Sequence, residues 1–76
     1  MDKKAFLIKL GQNIRKEREK QKLSRQSLAE KAGMSIDFLG RIENAKQNPS
    51  MLKILDLSEA LNVSFIELVS FDENTG

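Results

Sequence analysis

Four serines, Ser24, Ser35, Ser50 and Ser64, fix most of what this chain can fold into. Each stands just before a stretch whose apolar side chains recur at helical spacing. Serine is a strong helix start because its side-chain oxygen accepts a backbone N–H that lacks a partner in the first turn. The neighbours of each serine repeat a second signal. One apolar residue precedes the cap and another stands four positions into the helix, as in a hydrophobic staple. The pairs are Leu23 with Leu28, Met34 with Leu39, Pro49 with Ile54, and Val63 with Leu68. Glu67, three residues after Ser64, completes a capping box.

A longer helix, from about Lys3 to Gln21, precedes these four, with Leu7, Leu10 and Ile14 as its stripe. Leu28, Ala29 and Ala32 mark the second helix, and Leu39 and Ile42 the third. The fourth is filled by Leu52, Leu55 and Leu61 with Ile54, Leu57 and Ala60, and the fifth by Phe65, Ile66, Leu68 and Val69. Runs of β-branched residues are absent, so the expected fold is all-α with five helices. The 76 residues suffice for one domain, spanning 1–71, with a polar tail from 72 to 76 expected to fray. A chain this short buries only about 60% of its unfolded surface. Oligomerisation is the usual support where disulfides and metals are missing.

Composition excludes several classes of function. There is no Cys and no His, which removes the usual zinc and iron–sulfur ligands, the common nucleophile and the common general base. No glycine-rich phosphate loop is present. The chain therefore reads as a non-enzyme without metal or cofactor, and without an effector domain for a small-molecule ligand. No run of 18 apolar residues offers a membrane span. The opening Met1-Asp2-Lys3-Lys4-Ala5-Phe6-Leu7-Ile8 is too short and polar for a secretory signal. A cytoplasmic location is expected.

The net charge of +2 hides an uneven distribution. Residues 1–31 hold ten basic and four acidic side chains, a local excess of six positive charges. Residues 32–76 hold three basic and seven acidic ones, an excess of four negative charges. Such asymmetry suits one face for a polyanion and another for a different contact.

The segment Arg25-Gln-Ser-Leu-Ala-Glu-Lys-Ala-Gly-Met-Ser-Ile-Asp-Phe-Leu-Gly-Arg-Ile-Glu-Asn44 combines two short helices with a glycine in the turn, the pattern of a helix-turn-helix. Ala29 is small where the second helix of the motif crosses. Gly33 ends the first, where a left-handed backbone suits a residue without Cβ. Leu28, Ala32, Met34, Leu39 and Ile42 lock the two helices to each other and to the core, and the polar residues between them face outward.

On these residues the chain resembles the Cro and phage-repressor-type (Xre-like) helix-turn-helix family. The resemblance covers residues 10 to about 69, from Leu10-Gly11, Ile14-Arg15 and Arg18, through Leu28-Ala29-Glu30 and Arg41-Ile42-Glu43-Asn44, to Asn48-Pro49-Ser50, Ala60-Leu61-Asn62-Val63-Ser64 and Glu67-Leu68. It implies a five-helix lambda-repressor-like domain, with helices 2 and 3 as the motif. The third helix, about Ile36 to Asn44, would lie in the major groove of double-stranded DNA. It also implies base-reading positions at Ile36, Asp37, Phe38 and Arg41. Arg25, Gln26, Lys46, Gln47 and Asn48 would follow the DNA backbone, and an Arg18–Glu43 ion pair would link the first and third helices.

The reading positions depart from the amides and hydroxyls common in that family. Ile36 suits a thymine methyl, Asp37 a cytosine amino group, and Phe38 a methyl or sugar, with partial burial as its other fate. Arg41 is the candidate for a bidentate guanine contact, a discrimination of about 1–3 kcal/mol. Ala45 stands where the family usually has glycine, so Asn44 is expected to take the left-handed position.

Phe65, Ile66, Leu68, Val69 and Phe71 exceed what one small core can cover. Phe65, Ile66, Val69 and Phe71 are therefore expected in a homodimer interface, with part of the fourth helix. A two-fold dimer would read half-sites about 34 Å apart on a palindromic operator. The function expected is sequence-specific transcription regulation of phage, mobile-element or restriction–modification controller type. Phe38 before Leu39-Gly40 is similar to the aromatic of controller proteins. An antitoxin, or a helical interaction module without DNA binding, remains as an alternative.

Overall fold

The computed structural model describes residues 2–71; the stretch 72–76 expected to fray lies outside them. Five helices follow one another: α1 (Lys3–Lys20), α2 (Arg25–Ala32), α3 (Ile36–Glu43), α4 (Met51–Leu61) and α5 (Phe65–Val69). No strand occurs among the described residues.

All four serines cap as their spacing requires. Ser24, Ser35, Ser50 and Ser64 accept from the N–H groups of Ser27, Phe38, Lys53 and Glu67 at 3.0, 3.0, 3.2 and 3.0 Å. Asp2 does the same for α1, accepting from the Ala5 N–H at 2.7 Å. The capping box differs in detail: the Glu67 carboxylate accepts from the Ser64 hydroxyl at 3.2 Å.

Helix ends also follow local chemistry, with one correction. Gly33 and Asn62 take left-handed conformations after α2 and α4, at φ 71° and 57°. After α3 it is Ala45 that turns left-handed, at φ 59°, while Asn44 stays near helical at φ −98°. The Lys46 N–H reaches back to the Arg41 carbonyl at 2.7 Å, the closure of a Schellman turn, which requires the reversal at residue 45. Asn44 instead uses its side-chain amide to donate to the Gly40 carbonyl at 2.9 Å.

The core joins Leu10 and Ile14 of α1, Leu28, Ala29 and Ala32 of α2, Leu39 and Ile42 of α3, Ile54, Leu57 and Leu61 of α4, and Leu68 of α5. Leu52 and Leu55 do not belong to it: they are 71% and 39% exposed. The buried stripe of α4 runs through Ile54, Leu57, Ser58 and Leu61, which turns Leu52 and Leu55 outward. Phe71 is half-buried within the chain, its ring edge-on to Phe6 at 5.2 Å. The first turns of α1 supply the intramolecular cover that the motif alone lacks.

Two side-chain amides, one on α1 and one at the residue that caps it, fasten the C-terminal helices. Asn13 donates to the carbonyls of Leu68 and Ser70 at 3.0 and 3.1 Å, and Gln21 donates to the Leu61 carbonyl at 2.7 Å. Gly11 sets the approach of α1 to α3. A Cβ there would lie 2.6 Å from the carbonyl oxygens of both Ile42 and Glu43, so any side chain would push the two helices apart.

Candidate nucleic-acid interface

The helix-turn-helix is α2, the turn Gly33-Met34-Ser35, and α3. Leu28, Ala29, Leu39 and Ile42 are at most 1% exposed and hold the two helices on the core. With Leu39, Ile42 and Glu43 facing inward, α3 turns Ile36, Asp37 and Arg41 to the outside.

An open hollow forms on that outer side, lined by Arg25, Ile36, Asp37, Gly40, Arg41, Asn44 and Lys46. Five of these were expected from sequence. Gly40 and Asn44 were not, although Ile36, Gly40 and Asn44 follow one another at intervals of four residues and so share a helix face. Ile36 is 48% exposed. The Arg41 guanidinium stands 3.8 Å from the Asp37 carboxylate, one turn earlier on the helix, and both side chains are largely in solvent.

Other expected residues lie elsewhere. Phe38 is half-buried and packs against the core, with the Lys53 ammonium 6.0 Å from its ring centre. Asn48 lines a separate groove with Phe6, Leu7, Leu10 and Pro49. Gln26 and Gln47 are not among the residues lining the hollow.

Behind the hollow, the Glu43 carboxylate is fully buried and holds two guanidiniums. Arg18 meets it bidentately, Nε to Oε2 at 2.8 Å and Nη2 to Oε1 at 3.1 Å, and donates through Nη1 to the Leu23 carbonyl at 3.0 Å. Arg25 donates to Oε1 from Nη2 at 3.0 Å and from Nε at 3.3 Å. The expected Arg18–Glu43 pair is present, and Arg25 is its unforeseen third member. That link joins residues 18 positions apart, so no local signal announces it.

The hydrogen bonds that Arg18 donates to Glu43 hold its pKa above the ordinary guanidinium value, outweighing burial, which lowers it. Since the folded pKa is raised, this contribution to stability is lost only at pH above that ordinary value. Arg18 stays charged at every working pH. Among the described residues no buried side-chain nitrogen or oxygen lacks a partner.

The arrangement offers a rigid helix whose outer face carries a guanidinium, a carboxylate and an apolar side chain, flanked by Arg25 and Lys46. The wide major groove admits such a helix, and cations at its rim suit phosphates.

Comparison with known proteins agrees. The helix-turn-helix family matches residues 14–68. The chain is 31% identical over 61 residues to the control protein C.SmaI of Serratia marcescens, covering 80% of this chain and 73% of that protein. It is 29% identical over 66 residues to the HTH-type transcriptional regulator y4dJ of Sinorhizobium fredii, covering 87% and 86%. Among solved structures, the restriction–modification controller protein C.AhdI of Aeromonas hydrophila superposes with a TM-score of 0.82 at 36% identity, over 84% of this chain and 97% of that one. This chain belongs to the helix-turn-helix family of DNA-binding transcriptional regulators.

Proposed function

We propose that this protein is a cytoplasmic regulator of the restriction–modification controller type, reading a palindromic operator as a homodimer through α3. The observation that carries the reading is the gathering of Ile36, Asp37, Arg41, Arg25 and Lys46 around one hollow on the outer face of α3. Likeness to C.SmaI and C.AhdI supports the controller type. Arg41 takes the role of guanine reader, and Arg25 and Lys46 meet phosphates. Phe38, tucked against the core, supports the start of α3.

The dimer is supported by what α4 and α5 leave uncovered. Met51, Leu52 and Ile66 are 72%, 71% and 72% exposed, more than a soluble surface usually concentrates on two short helices. Phe65, Val69 and Phe71 are half-buried and pack against this chain's own core, so Ile66 is the candidate anchor.

Selection from a randomised duplex pool tests the reading. The expected product is a two-fold symmetric site with a guanine in each half. Its affinity falls log-linearly with salt. Arg41→Ala relaxes preference at that guanine, while Lys46→Ala weakens all duplexes alike. Failure to bind any duplex at low salt would leave a protein-interaction module instead.

A further inference from the structure

Asp37 is an unexpected residue to find at the mouth of a hollow built for DNA. Its side chain is 90% exposed, and among the described residues its carboxylate meets one cation, Arg41 at 3.8 Å. As the second residue of α3 it suits the positive end of the helix dipole. That role is satisfied by an acid anywhere in the first turn. It does not require the one position facing Arg41 across a single turn, inside the hollow that Arg25, Arg41 and Lys46 line.

The placement has an electrostatic effect on every duplex. A carboxylate brought to DNA is repelled by phosphates, and pairing with Arg41 offsets the cation that would attract them. Both effects lower affinity for sequence-independent binding, which is largely a matter of charge. The penalty is relieved only where the groove offers a hydrogen-bond donor to the carboxylate and a pair of acceptors to the guanidinium.

The major groove offers donors only at cytosine N4 and adenine N6. Adenine N6 stands beside the N7 acceptor, which repels a carboxylate; cytosine has no acceptor on its major-groove edge. Guanine offers Arg41 its O6 and N7. Base pairs stack about 3.4 Å apart, close to the 3.8 Å between the two side chains, a spacing that suits adjacent base pairs.

Resting on the docking of α3 proposed above, we infer that Asp37 and Arg41 work as one reading unit. Asp37 demands a cytosine amino group in the base pair next to the guanine bound by Arg41, and it holds the protein off duplexes that lack it. Asp37 thus determines specificity chiefly by penalising wrong sequences.

The test uses the full chain with a duplex selected by the wild type, and a matched duplex in which the C·G pair facing Asp37 is replaced by T·A. Wild type loses about tenfold or more in affinity on that replacement. Asp37→Ala and Asp37→Asn each bring the ratio close to one and bind random duplex more tightly than wild type. Arg41→Ala with Asp37→Ala changes cytosine preference no further than Asp37→Ala alone. Circular dichroism melts confirm that each variant is folded.

If both Asp37 variants keep the cytosine preference, or bind random duplex no better, Asp37 is a helix-start residue and the inference is overturned. Preference for A·T at that position overturns the cytosine assignment. Both results presuppose selective binding by wild type. If wild type selects no duplex, the docking of α3 falls, and this inference with it.

Discussion

Glu43 carries more of the architecture than any other polar residue described. Its carboxylate is fully buried, yet it is satisfied by Arg18 from α1 and Arg25 from the start of α2. Removing it strands the largely buried Arg18 guanidinium, so Glu43→Ala is expected to lose about 3–5 kcal/mol. Removing Arg25, whose side chain is 35% exposed, leaves the carboxylate with its bidentate partner, and Arg25→Ala is expected to cost about 1 kcal/mol or less. Arg18→Ala falls between them. Urea unfolding of the three variants in one buffer checks the order; an Arg25→Ala loss equal to that of Glu43→Ala contradicts it. Individual residues also mark where sequence reasoning ends. Ser24, Ser35, Ser50 and Ser64 are legible because a cap is a contact within three residues. The Arg18–Glu43 pair was visible only through family resemblance, since its partners are 25 residues apart. At Ala45 intrinsic preference points the other way, since it favours Asn44 for a left-handed backbone, whereas the closure from Lys46 to Arg41 decides the position.

At the scale of helices, the decisive contact is the crossing of α1 over the end of α3. Gly11 permits it, with no room for a Cβ against the Ile42 and Glu43 carbonyls. Gly11→Ala is expected to destabilise by about 1–3 kcal/mol through overpacking, although alanine is the better helix former by about 1 kcal/mol. Gly40→Ala is the control: its Cβ would meet the Arg25 side chain at an ordinary 3.6 Å, and the variant should match or exceed wild type. Thermal melts that rank the two alike would show that the crossing is soft. Helix periodicity locates the buried faces of α1, α2 and α3 well, through Leu10 and Ile14, Leu28, Ala29 and Ala32, and Leu39 and Ile42. It fails on α4, where Met51, Leu52 and Leu55 form a second apolar surface outside the core. Pattern alone does not distinguish residues that face a core from residues that face nothing in the same chain. Phe38 takes the second of its two expected fates, half-buried against the core with Lys53 above its ring.

For the whole molecule, α1 acts as the frame, touching each of α3, α4 and α5, while α2 and α3 form the working edge. The exposed Ile66 sits on α5, which packs on α1 and α4, so dimerisation through it is expected to leave the α3 face free. Ile66→Lys is expected to shift sedimentation from dimer to monomer and to weaken binding to a two-half-site duplex far more than to a single half-site. An unchanged sedimentation profile would remove Ile66 from the interface. The buried carboxylate behind α3 also separates two responses to ionic strength. Salt screens exposed charges strongly and enclosed ones much less. On the proposed docking, Lys46 at the rim therefore loses its hold on phosphates as salt rises, while Glu43 keeps α3 seated between Arg18 and Arg25. Rising salt should strip such a protein from DNA with its reading helix still in place, so that lowering it restores binding without any refolding step.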